Sequence, residues 1–240
     1  MRPRKVASAV ALLPLAVLVT WSVPERMAAP DREGTRAAPA APRPPIVARL
    51  SWHADEDAVR EEPAYSGPVE GVVIHHTNHP NGYDCERDVP GLLRAMQDAH
   101  IEGKGWDDLG YNFVVDKCGN VYEGRAGGVH RPVLGAHTKG FNTHTVGIAA
   151  LGRFEEGEEV PRAMLDAIAA VAAWKLRPGV DPRGSVRLVS TNDASRYPEG
   201  TAVKLDVITG HRDAYDTDCP GQALYDALPW LRTHTARLRE

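Results

Sequence analysis

Three residues of this 240-residue chain have the chemistry and context of ligands for one zinc ion: His75, His211 and Cys219. His75 ends an apolar, β-branched run, and His211 and Cys219 stand eight residues apart in an aspartate-rich segment. Two imidazoles and one thiolate would leave a fourth tetrahedral position open, which is typical of hydrolytic rather than structural zinc sites. The residue types therefore indicate a metal-dependent hydrolase.

The spacing of these residues leaves alternatives open. On spacing alone, His211 could be an exposed loop histidine and Cys219 an unrelated cysteine. His76 competes with His75 as a ligand, because neighbouring residues of a strand face opposite sides and only one of them can point into a site. Periodicity does not decide between the two histidines.

An amide hydrolase also needs a group that handles the proton and a donor for the developing oxyanion. Tyr111, in the run Gly-Tyr-Asn-Phe, and Thr217, two residues before Cys219, carry suitable hydroxyl groups. A packing role for Tyr111 and a turn or capping role for Thr217 are the alternatives on spacing alone. His100 stands in a polar context, and we expect it to be solvated.

Charge excludes nucleic acid as a partner. Residues 1–45 hold seven basic and three acidic side chains, which leaves 21 basic against 29 acidic in residues 46–240. Proteins that bind nucleic acid normally present a basic surface, and a domain with eight excess acidic groups does not.

The residue pattern at the N-terminus indicates a targeting segment. Arg2, Arg4 and Lys5 precede a largely apolar run, which predicts a signal peptide over residues 1–29, with an uncleaved membrane anchor as the alternative. Residues 30–45 are rich in alanine and proline and predict a flexible linker. We therefore expect a folded domain over residues 46–240, a secreted or cell-wall location, and contact with a membrane only if the N-terminal segment stays uncleaved.

The cysteine count is odd, which needs an explanation in an exported protein. The three cysteines are Cys85, Cys118 and Cys219, and all three pairings are open in principle. If Cys219 is a metal ligand, a disulfide between Cys85 and Cys118 accounts for the other two.

Hydrophobic patterns predict the elements that position these residues. Apolar, β-branched or alternating runs predict strands over Val69–Thr77, Tyr111–Asp116, Val121–Glu123, Thr145–Leu151 and Val203–Thr209. Helical spacing predicts a helix that Asp88 caps with Pro90 in its first turn, a helix over Ala163–Leu176, and a last helix from Gln222 that Pro229 bends.

Strands mixed with helices, without a regular βαβ repeat, predict a mixed α+β domain with a central mixed sheet flanked by helices. His75 and His211 then fall where a strand meets a loop. A rigid strand can fix a ligand there while the loop leaves it accessible.

Six motifs in order resemble the peptidoglycan recognition proteins of the type-2 N-acetylmuramoyl-L-alanine amidase superfamily, in a secreted bacterial form. The resemblance covers roughly Ile46 to Leu231. The motifs are Val73–Thr77, Gly105–Phe113, Val121–Arg125, Gly135–Thr138, Val146–Ala149, and Gly210–Asp213 with Asp218–Gly221.

The resemblance implies a role for each candidate residue. The first histidine of the His-His-Thr motif, His75, is the ligand, together with His211 and Cys219, and Zn²⁺ is the cofactor. Tyr111 matches the catalytic tyrosine, and Thr217 matches the threonine that many recognition proteins have two residues before the cysteine.

The implied reaction is hydrolysis of the amide between N-acetylmuramic acid and L-alanine, with peptidoglycan as the partner. Tyr111 and Thr217 are expected to stabilise the oxyanion or relay protons. The family's motifs place His137 and Arg125 along the peptide groove. His76 and Trp106 are further candidate substrate-binding residues, with a packing role as the alternative for Trp106. Some related intracellular amidases carry a glutamate where this chain has Ala149, so the resemblance does not imply a glutamate base here.

Two other function classes remain open from the sequence. A recognition module of the same fold could bind peptidoglycan without cutting it, and a zinc peptidase could act within the stem peptide. The intact set of histidines, Cys219 and Tyr111 favours the amidase. We expect a monomer, since no exposed apolar heptad indicates assembly.

Overall fold

The structure, a computed structural model, describes residues 41–240. The signal peptide or anchor predicted over residues 1–29 and most of the linker predicted over residues 30–45 lie outside the described residues. Within residues 41–240, no helix is both long and apolar enough to cross a membrane.

Strands and helices are interleaved along residues 41–240. The strands are β1 (Gly71–His76), β2 (Phe113–Val115), β3 (Val121–Glu123), β4 (Thr145–Ala150), β5 (Ser185–Val189), β6 (Ala202–Asp206) and β7 (Ile208–Gly210). The helices are α1 (Val89–Asp98), α2 (Arg162–Lys175), α3 (Gln222–Asp226) and α4 (Leu228–Arg237). Short 3-10 turns cover Arg49–Trp52 and His211–Asp213, and a π-helical turn, Ala99–Gly103, extends α1.

Five strands form the main sheet, in the order β3-β2-β4-β1-β7. The strands β2, β4, β1 and β7 run parallel, while β3 at the edge is antiparallel to β2. The strands β5 and β6 form a separate antiparallel pair. Helix α2 contacts β2 and β4, and α4 contacts β7. The predicted fold class, a mixed α+β domain with a central mixed sheet and flanking helices, is confirmed.

The two faces of the main sheet differ in what covers them. One face carries Ile74 and Ile148 and packs against α2 and α4 in the larger apolar core. The opposite face carries Ala149 and packs in part against Leu93 of α1 in a second core. Because side chains alternate along a strand, His75 projects from this second face, next to the second core.

The prediction of a single strand over Val203–Thr209 is wrong, because the chain passes from one sheet to the other within these residues. The first part is β6, which pairs with β5, and the last part is β7, which pairs with β1. Val207 lies at the change: its N–H donates to the carbonyl of Gly184, and its carbonyl accepts the N–H of Val72. Alternating apolar residues continue through the junction, so the pattern gives no sign of it.

Two helix predictions also need correction. The helix expected from Gln222 is two helices, α3 and α4, and Pro229 lies in the first turn of α4, where its missing N–H breaks no helical bond. Asp88 precedes α1 as predicted, yet its carboxylate accepts the N–H of Asp84 at 2.8 Å and does not cap the helix.

A buried ion pair joins the start of the described chain to the segment before β2. Arg49 Nη1 lies 3.0 Å from Asp108 Oδ2, and the two side chains are 6% and 2% exposed. The Asp108 carboxylate also accepts Gln97 Nε2 at 3.0 Å and the N–H of Ala126 at 2.7 Å. Asp108 therefore holds together three parts of the chain around the segment that leads to Tyr111.

The structure joins Cys85 and Cys118 in a disulfide across 33 residues. The bond connects the segment before α1 to the turn between β2 and β3. Cys219 is a buried free cysteine.

We expect Asp108→Asn to lower the free energy of unfolding by about 3 kcal/mol, because it leaves the buried guanidinium of Arg49 paired only with the exposed Glu56. Urea denaturation followed by circular dichroism measures the change. Asp107→Asn is the matched control: the Asp107 carboxylate pairs with Arg125 at 3.1 Å but is 44% exposed, so its loss should cost no more than about 1 kcal/mol. Equal losses in the two variants would contradict the role given to Asp108.

Candidate metal centre

The pairing of β1 with β7 brings His211 beside His75. Ile74 lies opposite Gly210 in the parallel register, so the next residue along each strand projects from the same face of the sheet. The centroids of the two imidazole rings lie 4.5 Å apart.

Cys219 reaches the same place from the loop that follows β7. Its Sγ lies 3.8 Å from His75 Nδ1 and accepts the N–H of His76 at 3.3 Å. The candidate ligand atoms of His75, His211 and Cys219 all lie within 4.8 Å of one another. The structure thus gathers the three predicted ligands in one cluster.

The Gly-His-Arg-Asp motif shapes the turn that carries His211. The Asp213 carboxylate accepts the N–H of Gly210 at 2.9 Å and the hydroxyl of Tyr225 at 2.7 Å. The N–H of Arg212 donates to the carbonyl of Cys219 at 2.9 Å. A Cβ at Gly210 would lie 2.8 Å from the Tyr225 ring, so glycine is required for this close approach. Sequence reasoning quoted the motif but gave these supporting roles to none of its members.

His76 points away from the cluster. It lies on the face of the sheet opposite to His75, and its Nδ1 has no hydrogen-bond partner among residues 41–240. Its contribution to the cluster is its main-chain N–H, which reaches Cys219 Sγ. The side chain of His76, predicted to bind substrate, is not in the groove described below.

Burial sets the protonation of the cluster. It lowers the pKa of His211 to about 4 and holds the pKa of His75 well below its usual value, so both imidazoles are neutral and have a lone pair to donate. Burial also raises the pKa of the Cys219 thiol to about 12. A thiol of this kind ionises only when a cation compensates the charge, so the donor set fits a soft divalent ion such as Zn²⁺.

Tyr111 stands over the cluster. Its ring centroid lies 5.2 Å from that of His75. On its other side is the ring of His100, at 5.6 Å. His100 was expected to be solvated, and that is wrong: it is buried, and its Nδ1 accepts the N–H of Gly110 at 3.0 Å. Burial raises the pKa of Tyr111 above its ordinary value, so the hydroxyl keeps its proton and can act as a hydrogen-bond donor.

His137 lies against His75 on the side away from Cys219. Its Nδ1 is 3.2 Å from His75 Nε2, and Thr138 Oγ1 is 3.4 Å from the same nitrogen. Burial lowers the pKa of His137 to about 3, which keeps the ring neutral. A Cβ at Gly147 would lie 2.3 Å from the His137 ring, so the glycine in β4 makes room for it.

A groove of about 490 Å³ opens beside the cluster. Its lining includes two cationic, two aromatic and two imidazole side chains: Lys104, Lys139, Trp106, Tyr215, His137 and His211. Two predicted substrate-binding residues, Trp106 and His137, therefore line this groove. The sequence analysis missed Tyr215, whose ring stacks on that of His211 with the ring centroids 5.4 Å apart. The signal that could have indicated it was its position four residues after His211.

Two other predicted site residues lie outside this lining. Arg125 Nη2 lies 3.1 Å from Asp107 Oδ2, and its Nη1 reaches the carbonyls of Asp108 and Leu109, so the side chain supports the segment before Tyr111. Thr217 Oγ1 accepts the N–H of Cys219 at 3.2 Å, which shapes the turn before the thiol and leaves the hydroxyl proton available.

The family described as Amidase_2, N-acetylmuramoyl-L-alanine amidase, matches residues 65–222. Peptidoglycan-recognition protein LB of Drosophila melanogaster is 33% identical over 181 residues, covering 75% of this chain and 66% of the relative. N-acetylmuramoyl-L-alanine amidase of Homo sapiens is 34% identical over 179 residues, covering 72% of this chain and 26% of the relative. The chain thus spans about a quarter of the human amidase.

Solved structures agree with these relatives. Drosophila PGRP-LB superposes with a TM-score of 0.57 at 27% identity, covering 77% of this chain and 92% of that one. Peptidoglycan recognition protein LE, solved in complex with tracheal cytotoxin (monomeric diaminopimelic acid-type peptidoglycan), has a TM-score of 0.58 at 29% identity, with 76% and 91% covered.

We expect His75→Ala to weaken Zn²⁺ binding by more than about a hundredfold, since losing even an outer partner of a ligand costs about 10–100-fold. Titration against a chromophoric chelator measures the affinity. His76→Ala is the matched control, because it removes the same side chain from the next residue of β1 on the opposite face. Equal weakening in both variants would reject the ligand assignment.

Proposed function

Because this chain belongs to the N-acetylmuramoyl-L-alanine amidase family, Amidase_2, we propose that it is a zinc-dependent amidase of peptidoglycan. The bond cleaved is the amide between N-acetylmuramic acid and L-alanine, the first residue of the stem peptide. The observation that carries the proposal is the cluster of His75, His211 and Cys219 beneath Tyr111.

The three ligands would hold Zn²⁺. Two neutral imidazoles and one thiolate match the ligand types and number of catalytic zinc sites. When bound, the ion would serve as a Lewis acid that polarises a carbonyl and lowers the pKa of water. His211 and Cys219 come from one turn and His75 from the neighbouring strand, so the three donors are held before substrate arrives.

Tyr111 would donate a hydrogen bond to the oxyanion that develops at the scissile carbonyl. Its hydroxyl stays protonated because burial raises its pKa, and within residues 41–240 it donates to no other group. A donor without a competing partner suits charge that appears only in the transition state. We propose that Thr217, in the loop that carries Cys219, assists with its own hydroxyl proton while its oxygen accepts the N–H of Cys219.

The groove beside the cluster would hold the stem peptide. Lys104 and Lys139 supply positive charge for peptide carboxylates, while Trp106 and Tyr215 supply flat apolar surface. Solved relatives described as complexes with tracheal cytotoxin or with glycosamyl muramyl pentapeptide support peptidoglycan as the partner. We propose that Arg125 acts by holding the segment before Tyr111, and that His76 acts through its main-chain N–H, which donates to Cys219 Sγ.

We propose that the protein acts as a secreted monomer at the cell wall. The disulfide between Cys85 and Cys118 supports an oxidising compartment. The signal peptide over residues 1–29 stays a prediction.

A second function has support of its own. Several relatives are named as peptidoglycan-recognition proteins and others as amidases, so a module that binds peptidoglycan without cutting it is the rival. The complete ligand set, with Tyr111 in place, favours hydrolysis. The relatives named above are amidases or recognition proteins, so they favour these two functions over a zinc peptidase acting within the stem peptide.

Incubation of purified peptidoglycan with the protein, with added zinc or with a chelator, followed by mass spectrometry, tests the proposal. We expect free stem peptides that begin at L-alanine, only when zinc is present. Peptidoglycan that sediments the protein but stays intact would support the recognition module instead. Fragments cut within the stem peptide would support the peptidase.

We expect Tyr111→Phe to lower turnover by about a hundredfold while zinc affinity stays unchanged, because one oxyanion donor is lost and no ligand is. Release of stem peptides and zinc titration give the two readouts. Tyr65→Phe is the control, since it removes an equal hydroxyl that donates to the carbonyl of Gly127, away from the ligands. Unchanged turnover in Tyr111→Phe would remove Tyr111 from the reaction.

A further inference from the structure

Beyond the ligands, a line of hydrogen-bonding groups runs from His75 into the protein. It passes from His75 Nε2 to His137 Nδ1 at 3.2 Å, and from His137 Nε2 to Thr145 Oγ1 at 3.5 Å. Thr145 Oγ1 then meets the carbonyl of Phe141 at 2.5 Å. All four residues are buried, so their polar groups must find partners among the protein groups around them.

The carbonyl of Phe141, the last group in the line, determines which atom donates in each of these hydrogen bonds. A carbonyl oxygen only accepts, so the single hydroxyl proton of Thr145 is directed to Phe141. Thr145 Oγ1 can then only accept from His137, which requires the His137 proton on Nε2. A neutral imidazole carries one N–H, so His137 Nδ1 is an acceptor and faces His75.

The tautomer of His137 also determines the tautomer of His75. Because His137 Nδ1 accepts, His75 must carry its proton on Nε2, and its Nδ1 is left with a lone pair. That Nδ1 is the atom 3.8 Å from Cys219 Sγ. Thr138 Oγ1, 3.0 Å from His137 Nδ1 and 3.4 Å from His75 Nε2, can bridge the two and requires the same proton on His75.

The loop that carries these groups is itself held in place. The N–H groups of His137 and Thr138 both donate to Asn142 Oδ1, at 2.9 and 2.8 Å. Gly147, in β4, leaves the space that the His137 ring occupies. The hydrogen bonds to Asn142 fix the main chain of His137, and the absence of a side chain at Gly147 leaves room for its ring. Together they determine the position of His137 against His75.

We propose that Thr145, His137 and Thr138 are positioning residues that hold the proton of His75 on Nε2 and so leave Nδ1 free to bind the metal. This inference rests on the metal site proposed above. It gives His137 a structural task in addition to lining the groove, and it gives Thr145 a task that no motif indicated. Metal-ligating histidines are generally oriented by the partner of their second nitrogen.

Three variants of the full chain test the proposal. Thr145→Val removes the hydroxyl and keeps the β-branched shape, Thr145→Ser keeps the hydroxyl, and Thr143→Val makes the same change at an exposed position two residues away. Nitrogen NMR of the metal-free proteins reports the tautomer of His75, with its signals assigned by loss in His75→Gln. Titration with Zn²⁺ reports the affinity.

In the native protein, Thr145→Ser and Thr143→Val, we expect a single His75 tautomer protonated at Nε2 and equal zinc affinity. In Thr145→Val we expect a second tautomer and zinc affinity at least about tenfold weaker. Unchanged zinc affinity in Thr145→Val, with its fold verified by amide NMR, would overturn the proposal. Thr138→Val offers a second variant if Thr145→Val does not fold.

The two proposals fail separately in this design. If the native protein binds no zinc, the proposed function fails, and the tautomer of His75 in the metal-free proteins still tests the hydrogen-bonded line. If zinc binds and peptidoglycan is cut but His75 is protonated at Nδ1 in the metal-free native protein, the line is rejected and the amidase stands.

Discussion

Parallel pairing between β1 and β7 is the contact on which the candidate centre depends. It places His75 and His211, which lie far apart along the chain, at the same level on the same face of the sheet. A slip of one residue would turn His211 to the other face, into the apolar core. That core, packed against α2 and α4, is what holds the register, so the apolar side of the sheet determines the geometry of its polar side.

The polar side is built from buried groups that satisfy one another. Asp213 and Arg212 hold the turn that carries two of the ligands, Asn142 holds the loop of His137, and Asp108 holds the segment that ends at Tyr111. Each of these four residues makes at least one hydrogen bond to a main-chain group elsewhere in the site. The side chains that would touch substrate are therefore mounted on segments whose backbone is already fixed, which reduces the reorganisation needed in the reaction.

Much of the fold and of the candidate site could be predicted from the sequence, and there is a physical reason for each part that could not. Apolar runs predicted the ends of β1, β4 and α2 to within two residues, because burial on one or both faces leaves a periodic pattern. The strand over Val203–Thr209 failed, because alternation shows which residues are inside and not which strand is the partner. Periodicity left the choice between His75 and His76 open, because it does not show which face of the strand carries the site, and only the family resemblance favoured His75. Thr145 belongs to no motif, because the sequence alone does not show whether the hydroxyl of a threonine in a strand faces an imidazole.

The burial of Cys219 also bears on the reactivity of its thiol in the metal-free protein. A thiolate, not a thiol, reacts with oxidants and with disulfides. The sulfur of Cys219 is enclosed and stays protonated without a cation, while its hydrogen bond comes from the main chain of His76, which no side-chain substitution removes. With Cys85 and Cys118 already joined, Cys219 is the remaining free cysteine, and in an oxidising compartment its enclosed thiol would stay unreacted until the proposed metal binds.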